Sequence, residues 1–248
     1  MRRPIVLAAV LGACLLPATA HAQTAADPAA VARGEDVMQV NQGRTLFLEG
    51  CATCHGQNAE GTDRAPDLHG VGAQSADFYL RTGRMPLAVP GEPPLSNPPE
   101  YEEDEIQALI AYVGSLGGPD IPTVNPEAGD LSEGERLFTL FCAGCHGKLA
   151  KGGVVTGAIA PSLDEATQVQ IAEAIRVGPF VMPPFDEKLI DQKELDSIVA
   201  YVEKTKDPDN AGGWDLGGIG PIPEGMVAFF IGLLALLLVS RLIGERGE

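Results

Sequence analysis

The sequence predicts an all-α protein in which one small helical domain occurs twice in tandem and is followed by a single transmembrane helix. Three observations predict this architecture. A series of short motifs occurs twice in the same order, apolar residues near these motifs recur at helical spacing, and the last apolar segment is long enough to cross a bilayer. No segment with the alternating pattern of a strand reaches a useful length.

The N-terminus has the composition of a secretory signal peptide. Residues 1–22 comprise two arginines, an apolar core and a small-residue ending, which predicts export and cleavage after Ala22. Two other interpretations stay open. The segment could be retained as a membrane helix, although its core is short and Pro17 follows it, or it could be a lipoprotein signal with Cys14 acylated.

The duplicated motifs begin with a Gly-x-x-x-Phe segment, at Gly43 and Gly134, and a Cys-x-x-Cys-His string starts eight residues after each glycine. An Ala-Pro-x-Leu segment, an Arg-x-Gly turn and a Met-Pro pair follow in both copies, and each copy closes with Ala-Tyr-Val. The apolar residues leading into that tripeptide recur three and four positions apart, as in an amphipathic helix. The two copies are therefore expected to share one helical fold.

The motifs and the composition between them divide the chain into six predicted segments. These are a signal peptide (1–22), domain 1 (36–118), a Pro/Gly linker (119–130), domain 2 (131–206), a tether (207–225) and a transmembrane helix (226–243). Residues 86–100 contain six prolines and form a long loop in domain 1 that domain 2 mostly lacks.

The predicted transmembrane helix indicates which side of the membrane the domains occupy. Arg241 near its end can extend its side chain to the headgroups, and no basic residue stands between Lys206 and the helix. The positive-inside rule then places the C-terminus in the cytoplasm and both domains on the outer face of the cell membrane. The alternative, a buried core helix, would leave an apolar helix with no later segment to cover it.

The charge of the chain is strongly acidic, with 17 Lys and Arg against 34 Asp and Glu and a formal net charge of −17. Nucleic acid is therefore not an expected partner. One acidic run, residues 100–105, precedes the closing helix of domain 1. It could steer a basic partner, or it could be a helix start at which acidic residues favour the helix dipole.

The two Cys-x-x-Cys-His strings carry the chemistry. In a helical turn both cysteines and the histidine lie toward one face, so two thioethers can fix a porphyrin edge while the imidazole binds its iron. A redox dithiol or a disulfide would leave both histidines unexplained, and a zinc site would lack its fourth ligand. The sequence therefore predicts two covalently attached haem c groups, at Cys51, Cys54 and His55 and at Cys142, Cys145 and His146.

Met85 and Met182 are the predicted second axial ligands. Each is the sole methionine after the attachment string in its domain, follows the Arg-x-Gly turn and precedes a proline. A lone methionine is usually core filler, but a thioether on a loop crossing the far face of the haem fits both positions. His69 is the competing ligand in domain 1 and is expected to be a surface residue instead.

Further residues are expected to support the haems. The carbonyl groups of Pro66 and Pro161 could accept a hydrogen bond from the second ring nitrogen of the histidine ligands and orient them. Three arginines could neutralise haem propionates or could be ordinary solvated charges; these are Arg81, Arg84 and Arg176.

Two filled axial positions on each iron favour electron transfer over chemistry at an open iron. After the predicted signal peptide and the two haem strings are set aside, His69 and no cysteine remain, which is too few for a catalytic triad or a further metal site, so no independent active site is expected. A dihaem peroxidase is an alternative, but it would need an open or exchangeable axial position, and the paired Met-Pro motifs argue against that.

Each repeat resembles a class I cytochrome c domain over residues 36–205, by its Gly-x-x-x-Phe helix, Cys-x-x-Cys-His string, proline loop, methionine and closing helix. The whole arrangement is similar to the dihaem cytochrome c subunit of the actinobacterial-type cytochrome bcc complex, a menaquinol:cytochrome c reductase. Residues 212–226 and the Thr-Gly-Arg-Met-Pro segment at 82–86 resemble segments of that family.

The resemblance implies that one haem receives electrons from a Rieske iron–sulfur subunit and the other passes them to the copper site of an aa3-type oxidase. It also implies a cytochrome b subunit in the same complex. Two alternatives stay open, a membrane-anchored dihaem shuttle and an oxidase subunit, although oxidase subunits of this kind usually carry their span before the haem domains.

Overall fold

The computed structural model describes residues 28–208 and 221–244. The predicted signal peptide and most of the predicted tether lie outside the described residues. Within them the regular secondary structure is helical apart from one small hairpin, and the helices form two similar bundles followed by a long apolar helix. This confirms the predicted fold class.

Domain 1 consists of α1 (Pro28–Gly50), α2 (Ala52–His55), α3 (Gly72–Arg81) and α4 (Glu103–Ser115). Domain 2 repeats this order with α5 (Leu131–Phe141), α6 (Ala143–His146), α7 (Gln168–Val177) and α8 (Gln192–Lys206), and adds a hairpin of β1 (Gly153–Val155) and β2 (Ala158–Ala160). A 3₁₀ turn, Pro126–Ala128, precedes α5, and α9 (Pro221–Gly244) ends the described chain.

The first and last helices of each domain cross in close contact at a glycine. A β-carbon at Gly43 would lie 1.8 Å from the carbonyl oxygen of Ala108, and one at Gly134 would lie 1.9 Å from that of Ser197. One turn later a phenylalanine packs against the tyrosine of the closing helix, with ring centroids 5.4 Å apart for Phe138 and Tyr201. The repeated Gly-x-x-x-Phe and Ala-Tyr-Val motifs are therefore the two sides of one helix crossing.

Local side chains fix where several helices begin. The Asp130 carboxylate accepts a hydrogen bond from the Glu133 N–H at the start of α5, and Thr167 and Asp191 form capping boxes at the starts of α7 and α8. Glu102 forms a capping box with Glu105 at the start of α4. Such caps satisfy N–H groups that lack a partner within the helix.

The hairpin in domain 2 was not predicted. Val154 pairs with Ile159, and the two strands are joined by a turn in which Gly157 has a φ of +83°. Strands of three residues are too short to give an alternating pattern, so the sequence offered no periodic signal. Both paired side chains are exposed, Val154 to 87% and Ile159 to 77%.

The linker between the domains binds to both of them. The Gln74 N–H of domain 1 donates to the Pro119 carbonyl at 3.4 Å, and the Asn125 N–H donates to the Asp196 carboxylate of domain 2 at 2.9 Å. Val124 packs against the core of domain 2. These contacts tie the linker to the folded domains on either side of it.

Helix α9 is long and apolar enough, by length and composition, to cross a membrane. Its span, Gly225–Gly244, has 20 residues and a mean hydropathy of 2.5, and none of it is buried by the rest of the described protein. This candidate span matches the C-terminal transmembrane helix that the sequence predicts.

Candidate haem sites

Each Cys-x-x-Cys-His string forms a single helical turn at the end of the first long helix of its domain. In domain 1 the N–H groups of Cys54 and His55 both donate to the Cys51 carbonyl, at 3.0 and 2.9 Å. Domain 2 repeats this geometry, with the His146 N–H 2.9 Å from the Cys142 carbonyl. The turn presents both sulfur atoms and the imidazole of a string from one short stretch of helix, as a c-type haem attachment requires.

Both histidines are buried and held through Nδ1. His55 Nδ1 lies 2.9 Å from the Pro66 carbonyl oxygen, and His146 Nδ1 lies 3.1 Å from that of Pro161. A carbonyl only accepts, so Nδ1 carries the proton and Nε2 keeps its lone pair free for a metal. These are the two carbonyl groups that the sequence analysis singled out.

The thiols of the first cysteines are protonated at neutral pH. Burial raises the pKa of Cys51 to about 11 and that of Cys142 to about 12. Thiol–disulfide exchange needs the thiolate, which burial disfavours at these two positions. Among the described residues, no group of three or more His, Cys, Asp or Glu side chains is arranged to hold a metal ion.

Each methionine packs against the core of its own domain. Met85 and Cys51 are both partly buried against the domain 1 core, and Met182 and Phe141 are both partly buried against the domain 2 core. The Met182 loop is fastened to α7, because the Arg176 guanidinium donates to the carbonyl groups of Phe185 and Ile190 at 3.0 and 2.7 Å. Arg176 is thus a structural residue of this loop and not a solvated charge.

In domain 2 one cavity of about 680 Å³ brings four predicted haem residues together: Cys142, Cys145, His146 and Met182. Its remaining lining is mostly apolar and includes Phe138, Phe141 and Phe185. The volume lies within the range usual for cofactor sites, about 300–1,000 Å³, and a mostly apolar lining is also usual for them. Two thiols, an imidazole with a free Nε2 and a thioether around an apolar cavity fit a covalently bound haem c.

The other residues considered for domain 1 have partners within the protein. Arg81 forms ion pairs with Asp77 and Glu103. The Arg84 guanidinium carbon lies 4.9 Å from the centroid of the Phe78 ring. The imidazole of His69 is at the surface, where its Nδ1 lies 2.6 Å from the Asp67 carboxylate, in agreement with the expectation that it is a surface residue.

A buried acidic pair at the junction of the domains was missed by the sequence analysis. Glu173 of α7 is fully buried near Asp77 of α3, and burial together with the negative charge of Asp77 raises the pKa of Glu173 to about 9. The sequence offered one signal for this pair, because Glu173 is a charged residue between Ala172 and Ile175, two residues that are buried in the structure.

Comparisons with known proteins identify both domains as cytochrome c domains. The family model "Cytochrome c" matches residues 40–117, and the model "Cytochrome C oxidase, cbb3-type, subunit III" matches residues 129–202. Cytochrome c domains bind haem c covalently, which agrees with the two Cys-x-x-Cys-His strings.

Relatives of similar length also match most of the chain. The "Cytochrome bc1 complex cytochrome c subunit" of Corynebacterium diphtheriae is 33% identical over 88% of this chain and 84% of its own length. The protein of the same name from Mycobacterium tuberculosis is 37% identical over 88% of this chain and 81% of its own. The "Cbb3-type cytochrome c oxidase subunit FixP" of Bradyrhizobium diazoefficiens is 29% identical over 65% of this chain and 59% of its own.

Proposed function

The chain belongs to the family of cytochrome c subunits of the cytochrome bc1 complex, and from this premise we propose that it carries two haem c groups and relays electrons from a Rieske iron–sulfur subunit toward an aa3-type oxidase. Membership confirms the resemblance found in the sequence and supports a role in bc-type electron transfer. The number of haems, the order of the relay and the oxidase are the proposal.

The observation that carries the proposal is the repeated geometry of the two attachment sites. In both domains a histidine is held through Nδ1 by a proline carbonyl, and a methionine packs into the same core. We assign His55 and Met85 as axial ligands in domain 1 and His146 and Met182 in domain 2. The thioethers are assigned to Cys51 and Cys54 and to Cys142 and Cys145.

These residue types suit a relay. When bound, haem c supplies a one-electron redox couple. A methionine thioether would favour reduced iron and so a high potential, and with both the histidine and the methionine of a domain bound to it the iron would not take oxygen or peroxide. The role proposed for the chain is therefore to hold the two sites and to tune their potentials.

The proposed membrane arrangement rests on α9 and on the positive-inside rule. We place both domains outside the cytoplasm, the span at 226–243 and the C-terminus inside, with a cytochrome b subunit and the Rieske subunit as neighbours. A tether of this kind holds the domains near their partners at high effective concentration, so a diffusing cytochrome c is not needed.

A second candidate function is supported by one observation. The family model that matches domain 2 is that of a cbb3-type oxidase subunit, and FixP is among the relatives. The cbb3-type relatives match 64–65% of this chain, whereas the bc1 relatives match 88%. The larger coverage and the higher identity favour the bc-type complex.

The test is purification of the intact protein from its native membranes in mild detergent. We expect cytochrome b, a Rieske protein and aa3-type oxidase subunits to accompany it, and its intact mass to exceed that of the polypeptide by two haems. Recovery with the catalytic subunit of a cbb3-type oxidase and without cytochrome b would favour the second candidate. A mass with no haem, or four thiols that react with an alkylating agent, would contradict the attachment sites.

A further inference from the structure

The cavity of domain 2 is not built from domain 2 alone. Beyond the residues of its own domain, it is lined by the C-terminal half of α3 and the turn after it and by residues 94–97, all from domain 1. Residues 94–97 belong to the second half of the proline-rich loop, residues 86–100, that domain 2 mostly lacks. Domain 1 therefore supplies one wall of the site that holds Cys142, His146 and Met182.

This wall is fixed in place by hydrogen bonds within domain 1. The Asn97 N–H and the Ser96 hydroxyl both donate to the Thr82 carbonyl, each at 3.1 Å. The next residue, Gly83, has a φ of +59°, and a β-carbon there would lie 2.1 Å from the Asn97 carbonyl oxygen. The loop end is thus locked to the turn that leads directly into Arg84 and Met85.

Arg84 is a positively charged residue of this wall and lines the cavity. Its half-buried guanidinium lies against the Phe78 ring, which also lines the cavity, and burial lowers its pKa. Among the described residues it has no carboxylate within ion-pair distance, whereas the other cationic lining residue, Arg81, is paired with Asp77 and Glu103. The acidic lining residue is Glu165, which is exposed.

A cation that is partly removed from water loses part of its hydration energy. An anionic group of a ligand can replace that hydration with a charge-assisted hydrogen bond. Haem c fixed through Cys142 and Cys145 carries two propionate carboxylates. On the basis of the proposed function, we propose that domain 1 completes the haem site of domain 2 and that Arg84 binds a propionate of the domain 2 haem. Arg84 is then a positioning residue whose neighbour in sequence, Met85, serves the domain 1 site.

The proposal gives Arg84 a definite electrostatic effect. A positive charge beside the site stabilises the reduced state, which has one more electron, and raises the potential of the domain 2 haem. It would also link the domain 2 site to the segment of domain 1 that carries Met85.

The test compares Arg84→Gln with Arg84→Lys in the full-length, haem-loaded protein by spectroelectrochemical titration. Met85→His and Met182→His variants identify which redox wave belongs to which domain. We expect Arg84→Gln to lower the midpoint potential of the domain 2 wave and Arg84→Lys to keep it near the wild-type value. The control is Arg64→Gln, the same charge change at an exposed position of domain 1, which should leave the domain 2 wave in place.

Two results of this comparison would overturn the proposal. One is a domain 2 wave that is the same in Arg84→Gln as in the wild type, including the case in which only the domain 1 wave moves. The other is an equal fall in Arg84→Lys and Arg84→Gln, which would show that the charge is not the cause.

A second pair of variants avoids any disturbance of Met85. Leu95 lies on the wall and is 64% exposed, whereas Val89, in the same loop and 50% exposed, does not line the cavity. Leu95→Glu should lower the domain 2 potential and Val89→Glu should not. A protein that carries two haems but shows no shift in Leu95→Glu contradicts this inference alone, whereas a protein without haem contradicts the proposed function.

Discussion

The buried carboxyl group of Glu173, in α7, lies close to that of Asp77, in α3, where the two domains pack together. Asp77 is paired with Arg81, so the arginine charge is already shared with a carboxylate. Burial and the charge of Asp77 both disfavour a second negative charge, and Glu173 is therefore protonated at neutral pH. The junction between the domains holds a proton.

Stability should consequently fall as the pH rises. The pKa of Glu173 is about 9 in the folded protein against 4.5 for an ordinary glutamate, so between these values the folded state holds a proton that the unfolded state releases. We expect Glu173→Gln to be more stable than the wild type above about pH 5, by a margin that grows toward pH 9.

The measurement is denaturant unfolding at several pH values, with Asp77 and Arg81 left unchanged. Glu187→Gln, at an exposed position of domain 2, is the matched control and should follow the wild-type pH dependence. Parallel curves for Glu173→Gln and the wild type would show that Glu173 has an ordinary pKa.

The sequence was sufficient for the features that depend on local chemistry. The helices around Gly43 and Gly134, the two attachment turns and the proline carbonyls opposite the histidines all follow from short motifs with fixed spacing. The repeat itself was the strongest evidence, because each motif in one domain could be checked against the other.

The remaining features depend on how distant segments meet. The Asp77–Glu173 junction and the position of Arg84 in the domain 2 cavity require the packing of α3 on α7, which no motif encodes. The hairpin at Val154 and Ile159 was missed for a different reason, because its strands are too short to show a period.

The helix crossing in domain 2 should tolerate no side chain at Gly134. A β-carbon there would lie 1.9 Å from the Ser197 carbonyl oxygen, a backbone atom that cannot rotate away. Gly134→Ala should therefore lower the free energy of unfolding by about 1–3 kcal/mol or more. The control is Gly144→Ala, a helical position with no atom within 4 Å of the added carbon, which should be close to neutral. Thermal unfolding followed by circular dichroism distinguishes the two.

The assigned methionine ligands can be tested one domain at a time. Met85→His or Met182→His replaces a soft thioether by an imidazole, so the potential of the haem in that domain alone should fall. The absorption band characteristic of methionine bound to ferric haem should lose about half of its intensity in either variant. Met38→His, at a methionine of α1 that is 66% exposed, should change neither property. An unchanged redox titration in either ligand variant would place the sixth ligand elsewhere.

The acidic run at residues 100–105 is used within domain 1. Glu102 and Glu105 form the capping box of α4, and Glu103 pairs with Arg81, which lowers the pKa of Glu103 to about 2. This engagement favours the helix-start interpretation over a surface that steers a mobile basic partner. Electron transfer should then depend little on salt.

The membrane tether should affect electron transfer more than the acidic surface charge does. Quinol oxidase activity of membranes with the full chain should stay nearly constant from about 0.01 to about 0.15 M salt, although the screening length falls from about 30 to about 8 Å. Deleting residues 226–248 removes the span and should release a soluble protein with unchanged haem spectra, which no longer sustains this activity because its high effective concentration is lost. The control restores α9 with a different apolar helix of equal length, which should recover the activity. Full respiration with an equimolar amount of the truncated form would identify the protein as a diffusing shuttle.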